Sequence, residues 1–165
     1  MSDRRGFTLI ELIIVIAVIA ILAGAIFVAV DPARRLHEAR NARRLSDVTT
    51  ILDAVRKYQI DNDGTHYTTV AAMNDGDYYL IGSASSAICS VDCADQTTED
   101  TCVDLSSIGT NYLAAVPYDP KTGTEALTGY MIMKESTGSI TIYACDPEGE
   151  GAGGNDTPPD INVTR

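Results

Sequence analysis

Five side chains stand out for the chemistry they could do: one carboxylate set in an apolar run, and four cysteines. Glu11 is the sole charged residue between positions 7 and 30. An ionisable group inside a lipid-bound helix is costly unless it meets a partner. If the chain is cut after Gly6, Phe7 becomes the amino terminus and brings a new positive charge. Glu11 of one copy would then neutralise the Phe7 amine of a neighbour, each charge costly alone and satisfied in a polymer. This spacing points to charge pairing that sets the axial register of an assembly.

The cysteines, Cys89, Cys93, Cys102 and Cys145, all lie in the polar part of the chain. An even number behind a membrane-targeting segment predicts two disulfides formed in an oxidising compartment. Zinc is disfavoured, because no C-x2-C pair occurs and neither His37 nor His66 is near. Any full pairing joins Cys145 to the loop that holds the other three. Cys89–Cys145 with Cys93–Cys102 is the preferred pairing, since Cys89 and Cys145 both follow apolar residues and positions 93–102 enclose a polar loop. Asp61, Asp63 and Gly64 begin like a calcium loop, but Ala72 stands where the twelfth-position Glu is needed, so an ordinary helix-ending turn is expected. Neither histidine has a visible catalytic partner and no G-x-S-x-G elbow occurs. No enzyme is expected. Asn155 and Asn162 fit the glycosylation pattern, which Thr-rich segments match by chance.

The elements that must carry these residues follow from hydropathy and punctuation. After a short polar leader with Arg4 and Arg5, residues 7–30 form an unbroken apolar run in which 16 side chains are Leu, Ile, Val or Phe. As a helix the run is ~36 Å long, against a hydrocarbon core of ~30 Å. Those side chains supply about 5–10 kcal/mol towards insertion, which one carboxylate at about 3 kcal/mol does not cancel. Asp31-Pro32 marks a joint, with Asp as helix cap and Pro at the first helical position. Leu36, Leu45, Val48, Ile51, Leu52 and Val55 then recur at helical spacing, which predicts an amphipathic helix over 31–60 and a bent, nearly continuous rod. The turn residues at 61–64 end it.

Residues 61–147 read as a globular head. A short strand is expected at 78–81, a cysteine-bearing surface loop at 82–101, a short helix within 104–116, and a hairpin pairing 129–133 with 140–144. Residues 148–165, rich in Gly, Pro and acid, read as a disordered tail. Charge is unevenly placed within a total of −11: residues 31–57 hold seven basic and four acidic side chains, whereas 58–165 hold three basic and 17 acidic ones. A head so acidic is unsuited to nucleic acid, which needs clustered Lys and Arg.

The opening Gly6-Phe7-Thr8-Leu9-Ile10-Glu11-Leu12, ahead of a long apolar helix, resembles the type IV pilin and pseudopilin family, type II secretion pseudopilins included. The resemblance covers the first 60 or so residues well and reaches the head only through the Pro117-Tyr118-Asp119-Pro120 stretch. It implies cleavage after Gly6, N-methylation of Phe7 and an assembly role for Glu11. The fold expected is α+β and pilin-like: a long N-terminal helix, transmembrane then amphipathic, packed against a small antiparallel sheet. The partners it implies are copies of itself, other or minor pilins, the prepilin peptidase, the inner-membrane assembly platform, and lipid before assembly. No cofactor is expected, although calcium, which type II secretion pseudopilins bind in the head, makes Asp119 and Asp146 candidate ligands. The many true pilins that carry a proline mid-helix differ here, where Val28 stands.

The function expected is that of a structural subunit of a type IV pilus-like filament. The alternatives are a pseudopilin supporting protein export, or a membrane-anchored extracellular binding protein that never polymerises. A secretory signal peptide cut near Ala23-Gly24-Ala25 fits less well, because the apolar run continues past it and contains Glu11. Arg34, Arg35, Arg40, Arg43 and Arg44 after the span outnumber Arg4 and Arg5 before it, so loop charge alone would hold the head inside. The pilin-like motif and the cysteines argue for a single-pass protein with an exported head, extracellular once assembled.

Overall fold

The computed structural model describes residues 6–84 and 88–165; the leader's Arg4 and Arg5 lie outside them. The rod is two helices, α1 (Leu9–Val30) and α2 (Pro32–Asp61), meeting at Asp31. Asp31 closes α1 in the left-handed region, at φ 44°, and opens α2 by accepting the Arg34 N–H on its side chain. A short polar residue tolerates that backbone, and Pro32 follows at the first helical position, where its missing N–H costs nothing.

α1 buries none of its residues. α2 buries Asn41, Arg44, Val48, Ile51, Leu52, Ala54 and Val55, a stripe at three- and four-residue spacing. Its C-terminal half matches the apolar pattern. In the N-terminal half Leu36 and Leu45 are exposed, and the side chains facing the head are Asn41 and Arg44.

Against this stripe lies a four-stranded antiparallel sheet in the order β1-β4-β5-β6, with β1 at Tyr78–Leu80, β4 at Tyr130–Lys134, β5 at Ile140–Ala144 and β6 at Asn162–Thr164. The β4–β5 register pairs Ile132 with Ile142 and Tyr130 with Ala144. Those four residues share one face by strand alternation, and all belong to the core that contains Val48, Ile51, Leu52 and Val55. Tyr130 crosses the core and donates its hydroxyl to Asp47 of α2. Leu80 and Met131 are buried on the opposite face.

A one-turn helix α3 (Thr68–Ala71) and a small hairpin, β2 (Asp92–Cys93) with β3 (Gln96–Thr97), also precede β4. Ala94 and Asp95 both have positive φ, as a tight two-residue hairpin turn requires. The segment expected to be a surface loop therefore holds a hairpin, and it buries Cys89, Cys93 and Thr98.

Three further expectations are corrected. Residues 104–116 form turns, not a helix: the Asp104 carboxylate accepts the Ser106 N–H, and Gly109 sits at φ +108°, both of which compete with helical hydrogen bonding. The disulfides are Cys89–Cys102 and Cys93–Cys145, not the preferred pairing. Cys89 and Cys93 are equally buried, so neighbouring apolarity could not discriminate between them. Cys93 lies in β2 and bridges to Cys145, the residue after β5. In the chain-entropy model these bridges close loops worth about 3 and about 4 kcal/mol.

Residues 148–165 are not a disordered tail. Ile161 is buried, β6 completes the sheet, and Ala152–Gly154 form a 3-10 turn packed on α2. Few apolar groups are needed here, because side chains of α2 supply polar anchors for the segment's backbone.

Candidate assembly segment and its anchor to the head

Gly6 and Phe7 lie ahead of α1, and Phe7 is fully open to its surroundings, with 93% of its surface exposed. A Cβ built on Gly6 meets nothing within 4 Å. The fold therefore places no demand for glycine there, and any demand comes from whatever handles the junction. Thr8 caps α1 through a reciprocal pair: its hydroxyl accepts the Glu11 N–H, and a Glu11 carboxylate oxygen accepts both the Thr8 N–H and its hydroxyl proton at 2.8 Å. This box satisfies helix-end donors. It also leaves Glu11 beside the residue that follows Phe7, where a Phe7 amine would stand. Beyond Glu11, α1 presents only apolar and small side chains to its surroundings.

The other half of the rod is fixed to the head by a buried polar cluster. The Arg44 guanidinium, fully buried, clamps the Asp119 carboxylate with two nitrogens, one at 3.2 Å from Oδ1. It also donates to the Asn41 side-chain oxygen at 2.8 Å and to Glu148 at 3.2 Å. Asn41 pairs with the Glu148 backbone on both sides, donating to its carbonyl at 2.6 Å and accepting its N–H at 3.0 Å. Arg40 and Lys121 reach Glu148 from the rim, and His37 lies 2.8 Å from the Gly149 carbonyl. Near the joint, the Gly153 N–H donates to Asp31.

Burial alone would raise the Asp119 carboxyl, but the Arg44 guanidinium and the Lys121 and Thr122 N–H groups outweigh it and hold the carboxyl below its usual range. Glu148 is likewise lowered, with Lys121 and Arg44 outweighing desolvation. Arg44 is raised, since the two carboxylates more than offset its burial. All three groups are therefore charged at neutral pH.

Gly123 closes the turn that presents Asp119. A Cβ there would meet the Thr128 carbonyl oxygen at 2.5 Å and the Asp119 oxygen at 2.9 Å, both of them backbone atoms. Gly123→Ala is expected to lower stability by about 1–3 kcal/mol, the usual cost of overpacking. Urea unfolding of the purified full chain measures it, and an unchanged midpoint would show that the turn can yield.

Of the residues singled out by sequence, Gly6, Phe7 and Glu11 lie together at the head of α1. The four cysteines form two bridges in the head. Asp119 and Asp146 both approach Thr122, Asp119 accepting its N–H and Asp146 its hydroxyl proton. The calcium ligand set does not fit this geometry: both Asp119 oxygens are held by Arg44, and among the described residues no group of three His, Cys, Asp or Glu side chains is placed to hold a metal ion. Sequence reading missed Asn41, Arg44 and Glu148 as the anchor. The available signal was their register, since positions 41, 44 and 48 continue the buried stripe.

A long helix with an apolar, uncovered first half, and a small antiparallel sheet packed on its second half, is a pilin-like α+β architecture. Residues 1–27 match the prokaryotic N-terminal methylation motif, which is characteristic of type IV pilins and pseudopilins. No curated protein and no solved structure matches the chain. The motif supports prepilin-type processing and pilin-type assembly, and with the one helix among the described residues that is long and apolar enough to cross a membrane it fits a single-pass membrane anchor. It points to a structural subunit and not to an enzyme.

Proposed function

We propose that this chain is a structural subunit of a type IV pilus-like extracellular filament. It is cut after Gly6 by a prepilin peptidase, methylated at Phe7, and assembled through α1. One observation carries the reading: a 22-residue helix that buries nothing within its own chain, apolar except for Glu11 at its start. Such a surface needs lipid before assembly and other helices after it, and a bundle of copies supplies the second. Glu11 meets the Phe7 amine of a neighbour and fixes how far each new subunit enters. The assembly platform, the peptidase, and other or minor pilins are its partners on this route.

The head is exported, and its two disulfides suit an oxidising compartment. Mass spectrometry of the native amino terminus tests the proposal: the mature chain is expected to start at N-methylated Phe7 and to lack residues 1–6. A terminus at Ile26 would identify a signal peptide instead. An intact leader in cells with an active prepilin peptidase would identify a plain anchor.

A further inference from the structure

Beside the anchor the head carries an open cleft of about 1120 Å³, bounded by the β2–β3 hairpin, the turn at Lys121–Thr122 and the segment before β6. Tyr78 and Tyr143 line it and meet edge to face, with ring centroids 5.9 Å apart. Asp92, Asp95, Asp146 and Asp160 line it as well. Among the described residues none of these four takes part in an ion pair, whereas Glu148, on the same wall, is neutralised by Arg40, Arg44 and Lys121. Aromatic faces among unpaired carboxylates suit one chemistry above others: the guanidinium, which stacks flat on a ring and donates along its edges.

The same chain displays that group. Arg35, Ala39 and Arg43 follow one another at four-residue spacing and form a ridge on α2, about 12 Å long. The side chains of Arg35 and Arg43 are 69% and 60% exposed, and their ion pairs are confined to α2: Arg35 shares Glu38 with Arg34, and Arg43 stands 3.7 Å from Asp47. Ridge and cleft are different patches of opposite charge. We propose that the arginine ridge of one copy docks in the Tyr–Asp cleft of the next. A contact between two different patches repeats without closing on itself unless the rotation happens to close a ring, so it extends a filament. This inference rests on the filament reading and names the head-to-helix contact within it.

The test places a photo-crosslinking amino acid, p-benzoylphenylalanine, at exposed Ala39 in the full chain. It is activated in cells, and adducts are mapped in both the sheared filament and the membrane fractions. The expected product is a two-chain adduct whose partner peptide contains residues 92–96 or 157–160. Reversing the ridge with Arg35→Glu and Arg43→Glu is expected to lower that adduct about tenfold or more, since like charges then face each other. Adding Asp95→Lys and Asp160→Lys is expected to restore it. Adducts to lipid, two-chain adducts mapping elsewhere, or no rescue by the double reversal would each overturn the docking. Should wild-type cells yield no filaments, the filament reading falls, while the membrane-fraction adduct still decides whether copies dock this way.

Discussion

The Glu11→Gln chain is expected to be cut after Gly6, to insert in the membrane and to form few or no filaments. Gln keeps the size of the side chain and much of its hydrogen bonding. In particular its carbonyl oxygen still accepts from the Thr8 N–H, so the cap that Glu11 builds at 2.8 Å survives in part. Insertion is not impaired, because a neutral side chain costs less to place in lipid. What is lost is the charge proposed to meet the incoming Phe7 amine. An unpaired charge left in an apolar bundle costs about 3–5 kcal/mol, enough to lower the assembly equilibrium by roughly two to three and a half orders of magnitude. Electron microscopy of sheared filaments, with immunoblots of the membrane fraction, measures both sides of this outcome. Co-expression with the wild-type chain is expected to rescue in part, since mixed neighbours restore some pairs. Filaments of normal number and length from Glu11→Gln would rule out charge pairing as the mechanism.

The second large effect is in the head. Asp119→Asn keeps an oxygen for the Lys121 and Thr122 N–H groups, yet removes the carboxylate that Arg44 clamps. Arg44 is then left buried with Glu148 as its remaining counter-charge, and loss of one partner of a buried pair costs about 3–5 kcal/mol. The expected result at pH 7 is a urea midpoint well below that of wild type, read by circular dichroism on the full chain in detergent. The pH dependence has a defined sign. Folding holds the Asp119 and Glu148 carboxyls below their ordinary values. The stability they contribute is therefore fully present above the unfolded carboxyl range, about pH 4–5, and is lost as pH falls through the lower folded values. Wild type should weaken on that acid descent, and the gap to Asp119→Asn should narrow with it. Equal midpoints at pH 7 would mean that Arg44 finds full compensation elsewhere.

Legibility in the sequence followed the physics of each element. The apolar run, the Asp31-Pro32 joint and the hairpin around Ser136–Ser139 were readable, because period, caps and turn residues are local properties. The methylation motif over residues 1–27 was readable for the same reason, since it lies in one uninterrupted stretch. The anchor was not. Hydropathy assigned Leu36 and Leu45 to the buried stripe, but charge partners from positions 119 and 148 drew Asn41 and Arg44 inward instead. The acidic stretch from 148 onwards looked unable to bury anything, and it is ordered by those same distant partners. The β2–β3 hairpin that holds Cys93 was likewise hidden, because its turn residues Ala94 and Asp95 adopt positive φ in a dipeptide that lacks the usual glycine. Positions 41 and 44 do continue the period of the buried stripe, but their partners at 119 and 148 carry no local signal that would pair them.

The anchor also imposes an order of events. Arg44 and Asn41 enter early, while their partners lie 75 and 107 positions further on. If export keeps pace with synthesis at about 5–20 residues per second, α2 waits on the order of ten seconds before Asp119 and Glu148 arrive to cover it. During that wait Arg40 and Arg44 lack the carboxylates that hold them in the finished fold, whereas Arg34, Arg35 and Arg43 already face Glu38 and Asp47 within α2. Arrival of Asp119 and Glu148 is therefore what neutralises Arg44 and closes the head on α2.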